Sequence, residues 1–85
     1  MPTLRPIEFE ILLSLAHGDR HGYAIIQDIQ ARGGDAVETG TLYRALQRLT
    51  EQDFVRPVAR RGPDEDERRQ YYAVTASGRV AATVE

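Results

Sequence analysis

Thr39-Gly40-Thr41-Leu42-Tyr43-Arg44-Ala45-Leu46-Gln47-Arg48-Leu49 is the stretch that decides the fold. Leu42, Leu46 and Leu49 recur at i, i+4 and i+7, the spacing of one face of an α-helix. Tyr43, Arg44, Gln47 and Arg48 occupy the other face. Thr39 or Thr41 is expected as the N-cap, because a threonine hydroxyl can accept a free first-turn N–H. The spacing predicts a strongly amphipathic helix running to about Gln52. Such a helix needs an apolar platform, and the flanking sequence supplies it.

Upstream, Gly22 to Ala31 is expected to be a second helix, with Ile25, Ile26 and Ile29 as its buried stripe. Arg32-Gly33-Gly34-Asp35 stops it, and Ala36-Val37-Glu38 is short enough only for a very brief strand. Further upstream, Ile7, Ile11, Leu12, Leu15 and Ala16 continue at helical spacing behind Pro6, which suits a first helical position. This first helix is apolar on more than one face, so a central position is expected. Gly18 ends it, and His17-Gly18-Asp19-Arg20-His21-Gly22 reads as a polar connection with Asp19 as a capping residue. Downstream, Phe54–Arg60 and Arg69–Val74 have strand character, with Pro57 suited to an edge and Tyr72 and Val74 on one face. Residues 61–68 form a polar tip between them. Thr75 is the expected cap of a last helix with Val80 and Val84 on one side. The core is expected to combine Leu12, Leu15, Ile25, Ile26, Ile29, Leu42, Leu46, Leu49, Val55, Tyr72 and Val74.

The order is helix, helix, helix, hairpin, helix. This is a mainly α (α+β) winged helix-turn-helix: a three-helix core with a β-hairpin wing and a C-terminal helix. Its 85 residues make one domain. The chain has no cysteine, so neither disulfides nor thiolate metal sites staple it. That leaves regular packing or association between copies. No apolar run approaches the ~20 residues of a membrane span. Met1-Pro2-Thr3-Leu4-Arg5 lacks the layout of a signal peptide, so a cytoplasmic location is expected.

The net charge of −2 argues against nucleic acid, but its distribution does not. Residues 39–62 carry five Arg against Glu51 and Asp53, whereas both flanking segments are net negative. The chain has no Lys, a usage that GC-rich coding also produces. Arg can grip phosphate or guanine with two parallel hydrogen bonds.

Three stretches resemble the PadR-like family of winged-helix transcriptional regulators. They are Ile11–Leu15 followed by His21-Gly22-Tyr23-Ala24-Ile25-Ile26, then Thr39–Leu49, then Arg69-Gln70-Tyr71-Tyr72-Ala73-Val74-Thr75-Ala76-Ser77-Gly78. They occur in the family's order and span nearly the whole chain. The departures are Gln70 where a basic residue is common, Arg44 where the family often has Pro, and the acidic run Asp64-Glu65-Asp66-Glu67. The resemblance implies a DNA-binding domain over 1–75 and the start of a dimerisation helix over 76–85, which here stops at Glu85. It also implies a homodimeric repressor on a pseudo-palindromic operator of double-stranded DNA, with a small-molecule effector sensed near the dimer interface. No cofactor is expected.

The candidate DNA-binding residues are Tyr23, Thr39, Gly40, Thr41, Tyr43, Arg44, Arg48, Arg60, Arg61 and Arg69. Backbone N–H groups at Thr39, Gly40 and Thr41 suit a phosphate. Tyr43 is expected to hold phosphate, Arg44 to reach a base or phosphate, and Arg48 to touch the DNA backbone or simply face solvent. Tyr23 either contacts phosphate or fills the interface of the first two helices. Arg60, Arg61 and Arg69 flank the wing tip, where Arg serves minor-groove and phosphate contacts; neutralisation by the neighbouring acids is the alternative. Two other function classes compete. His17-x-Asp19-x-His21 has two imidazoles and a carboxylate, but a two-glycine loop is a poor frame for converging metal ligands. No nucleophile motif or phosphate loop is present, so the chain is not read as an enzyme. A winged-helix module that binds protein instead of DNA is the remaining alternative, favoured by the acidic wing.

Overall fold

A computed structural model describes residues 4–34, 36–59 and 70–84. The elements are α1 (Pro6–Leu15), β1 (Arg20–His21), α2 (Gly22–Ala31), α3 (Thr39–Glu51), β2 (Val55–Val58), β3 (Tyr71–Val74) and α4 (Ala76–Val84). Three helices pack on a three-stranded antiparallel sheet of order β1-β3-β2, the winged helix-turn-helix architecture. The wing's outer part, residues 60–69, lies outside the described residues, and so do Arg60, Arg61, Arg69 and the acidic run.

α1 is the central element, as its apolar circumference requires. It packs against α2, α3, α4 and β3. Ile11, Leu12 and Leu15 are buried, together with the polar Ser14 and Glu8. The core cluster adds Ile25, Ile26, Ile29, Leu42, Ala45, Leu46, Leu49 and Val55, with Tyr72 and Val74 half-buried against it. Every residue of the expected core therefore lies in it or on its flank.

The helix ends follow local rules. His21 caps α2, its Nδ1 accepting the Ala24 N–H at 3.1 Å. The cap is thus His21 and not Asp19. α2 closes with paired bonds from Gly33 N–H to the Gln30 carbonyl and from Gly34 N–H to the Ile29 carbonyl, with Gly33 at φ 88°. This is the Schellman arrangement. α3 closes the same way, from Asp53 N–H to Thr50 and from Phe54 N–H to Leu49, with Asp53 rather than glycine at φ 64°.

Three local expectations are corrected. Thr39 and Thr41 are not caps: Glu38 holds the N-cap position, and no side chain bonds the first-turn N–H groups of α3. Ala36-Val37-Glu38 forms no strand: Val37 packs against the core while Ala36 and Glu38 stay exposed. The connection after α1 does contain a strand, β1. Arg20 pairs with Tyr72 and His21 with Tyr71. β1 covers one edge of β3, and β2 covers the other, with Pro57 opposite Tyr72. Pro57 therefore sits on an edge strand, where its missing N–H costs least.

α4 is fastened to the α3–β2 junction. Thr75 Oγ1 accepts the Gly78 N–H at 3.0 Å and donates to the Asp53 carbonyl at 2.6 Å. Thr75 N–H donates to the Phe54 carbonyl at 3.0 Å. Gly78 is buried at this crossing: a Cβ there would run into the Phe54 carbonyl oxygen and come within 2.8 Å of Val74 Cγ2. The obstacle is backbone, so it cannot rotate away. Gly78→Ala should lower stability by about 1–3 kcal/mol, the usual range for overpacking. Denaturant unfolding of the variant against the parent measures it.

Candidate nucleic-acid interface

α3 buries Leu42, Ala45, Leu46 and Leu49. The opposite stripe, Gly40, Tyr43, Arg44, Gln47 and Glu51, is exposed at spacings of three and four residues. The first turn carries the chemistry. The N–H groups at its start have no side-chain acceptor. They are unsatisfied donors at the positive end of the helix dipole. Arg44 arches back over this turn, its Nη2 3.4 Å from Thr41 Oγ1. Its Nη1 lies 3.3 Å from where a Cβ on Gly40 would stand. A side chain at position 40 would need only a slight shift of this flexible guanidinium.

Tyr43 leans from α3 across the first turn of α2. A Cβ at Gly22 would come within 2.7 Å of Tyr43 Cζ and closer still to its hydroxyl. Gly22 is therefore the space in which the Tyr43 ring lies, and the ring remains 43% exposed. Tyr43 also neighbours Tyr72 of β3. Burial, and then the Tyr43 phenol beside it, raise the Tyr72 pKa above the ordinary tyrosine value. Tyr23, next to Gly22, is 58% exposed. Tyr23, Tyr43, Arg44, Gly40 and Thr39 are thus all exposed, and the Tyr43 ring reaches from α3 to the start of α2.

Arg48 differs from this group. Its Nε donates to Glu8 Oε2 at 2.8 Å, and Glu8 is buried on α1. Arg32 is also spoken for, with Asp28 at 3.1 Å and Glu10 at 3.5 Å. Two exposed polar residues were not among the candidates. Gln47 lies on the stripe one turn beyond Tyr43, and the helical period that selected Arg44 points to it as well. Arg56 is exposed on β2, opposite Ala73. Its position on the sheet depends on a pairing that periodicity does not reveal.

His21 serves as a cap, its ring edge-on to Tyr71 at 5.3 Å between centroids. No metal-binding cluster exists among the described residues, and no described helix is long and apolar enough to cross a membrane. A cleft of about 650 Å³ opens between α1, the end of α2 and the start of α3, with Ile7, Phe9, Ile29, Val37, Glu38 and Thr41 in its lining.

Comparison with known proteins places this arrangement. An uncharacterised 37.1 kDa protein of a transposon from Streptomyces fradiae is 38% identical over 69 residues. The match covers 81% of this chain but only 19% of that protein, so the chain spans about a fifth of its relative. A PadR family transcription regulator from Clostridium difficile superposes with a TM-score of 0.81 at 26% identity, covering 92% of this chain and 80% of that one. The fold is also that of Bacillus subtilis PadR, solved in complex with operator DNA: TM-score 0.78 at 22% identity, over 94% of this chain and 46% of that one. The model of the transcriptional regulator PadR-like family matches residues 11–84. The chain therefore belongs to the PadR-like family of transcriptional regulators, which are not enzymes.

Proposed function

We propose that this chain binds double-stranded DNA and regulates transcription as a homodimer, with α3 in the major groove and the β2–β3 hairpin as a wing. The observation that carries the reading is the first turn of α3: open backbone N–H groups, Arg44 folded over them, and Tyr43 and Gln47 on the same exposed stripe. Open N–H groups at a helix start suit a phosphate. Arg and Gln side chains one turn apart have the donors and acceptors that base edges present in the major groove. That the B. subtilis family member was solved with operator DNA on the same fold supports this docking.

In this reading Tyr43 and Tyr23 hold phosphates, and Thr39, Gly40 and Thr41 offer their backbone. Arg60, Arg61 and Arg69 would serve the wing. Val80 and Val84, 63% and 67% exposed on α4, support a further apolar contact beyond this protomer, which suits dimerisation through 76–85. Two recognition helices would then meet a pseudo-palindromic operator with half-sites about 10 bp apart, or a multiple of that. Occlusion of polymerase would make the dimer a repressor. The cleft beside Glu38 and Thr41 is of a size to take a small-molecule effector.

A salt series separates DNA binding from protein recognition. Affinity for duplex DNA should fall linearly on a log–log plot, with a slope of about −0.9 for each phosphate neutralised. A flat response would favour the protein-binding alternative. Within the site, Tyr43→Phe and Arg44→Ala should each weaken binding by about 1–3 kcal/mol. Thermal stability should stay within about 0.5 kcal/mol, as for other surface changes. Normal binding by both variants would remove α3 from the interface. Gly22→Ala tests the packing beneath Tyr43: its methyl must displace the ring, so DNA affinity should drop although position 22 itself is buried. Isothermal titration with one enriched operator sequence measures all three.

A further inference from the structure

The Arg48–Glu8 pair has an unusual placement for a cation on a DNA-reading helix. At 3.6 residues per turn, Arg48 stands roughly 80° around α3 from Gly40, at the margin between the exposed stripe and the core. Its partner belongs to α1. Glu8 is only 3% exposed. One carboxylate oxygen accepts the Arg5 N–H at 2.9 Å and the other accepts Arg48 Nε at 2.8 Å. The acid therefore closes the first turn of α1 and reaches α3 at the same time. A buried carboxylate is costly unless a cation and hydrogen bonds compensate it, and Arg48 is the cation that does so. Losing either partner alone would leave the other's charge uncompensated in the α1–α3 seam.

We propose that Glu8 and Arg48 are positioning residues for DNA recognition: the pair locks α3 to α1, and the charge of Arg48 is used inside the protein and not on a phosphate. This rests on the DNA-binding reading above but concerns a different set of atoms. It makes Arg44 and Arg48, one turn apart on the same helix, unequal. Arg44 faces the groove, while Arg48 fixes the angle at which Arg44 arrives.

The test is a double-variant cycle on the full chain, using Glu8→Gln, Arg48→Gln and the two combined, with thermal denaturation and a DNA-binding salt series on each. Gln at position 8 keeps an acceptor for the Arg5 N–H, so the cycle isolates the charge pair. Arg48→Gln should lower the denaturation midpoint by roughly 10 °C or more, because it strands the buried Glu8, and Glu8→Gln should lower it by less, because Arg48 reaches water. The combined variant should regain most of that loss, recover DNA affinity and show the parent's salt slope. A slope shallower by about 0.9 in the combined variant would mean that Arg48 neutralises a phosphate, and would overturn the proposal. Additive losses of stability would overturn it too. If the parent retains no duplex DNA even at low salt, the DNA-binding reading fails separately. The stability cycle then decides the pairing alone: recovery supports the lock, and additivity refutes it.

Discussion

A ten-residue helix that is apolar around most of its circumference cannot stand at a surface, and everything else in this protein follows from covering α1. α2 and α3 cover two sides, β3 and α4 the rest. With so short a chain, each covering element can offer only one apolar stripe and must leave its other face to water. The exposure of Tyr43, Arg44 and Gln47 is thus a by-product of the same periodicity that buries Leu42, Leu46 and Leu49. A surface for a partner is made by the need to bury α1, without a dedicated loop.

The elements stay in register because their junctions are tightly specified. The end of α3, the start of β2 and the start of α4 meet at Asp53, Phe54, Thr75 and Gly78. Asp53 turns the chain at a positive φ, and its carbonyl accepts the Thr75 hydroxyl. The Phe54 carbonyl accepts the Thr75 N–H and excludes any side chain at position 78. A threonine and a glycine three residues apart therefore have a joint cause: one caps the helix and the other lets it approach. Gly22 has the same logic at the other end of the sheet, where it makes room for the Tyr43 ring.

The features legible in the sequence are those that depend on local spacing. Helical periodicity located α1, α2 and α3 and nearly all the core, and Pro57 and Thr75 announced an edge and a cap. Pairwise features at long range were not legible. β1 has two residues, too few for alternation to register, and its partners Tyr71 and Tyr72 lie near the other end of the chain. The cap at His21 depends on a ring nitrogen meeting the Ala24 N–H, and the sequence pointed to Asp19 instead. Arg48 reads from its neighbours as one more exposed cation, because the acid that holds it is forty positions earlier. Gln47 was within reach of the same period that marked Arg44, but being uncharged it drew no electrostatic argument.

Charge shows most clearly why placement outweighs totals. A net charge of −2 suggests a poor match for a polyanion. Yet Glu8, Glu10 and Asp28 are turned toward Arg48 and Arg32, so part of the acidic count is cancelled within the helical bundle. These acids compensate cations on the sides of helices, and none of them lies on the stripe from Gly40 to Gln47. Over these distances in salt, a phosphate senses chiefly the charges within about a Debye length of ~8–10 Å. What matters at the start of α3 is therefore Arg44, the helix dipole and the open N–H groups, opposed by Glu38 at the N-cap position. Among the described residues, Glu38 stands at the N-cap of α3, and its side chain does not bond the N–H groups that an anion would use.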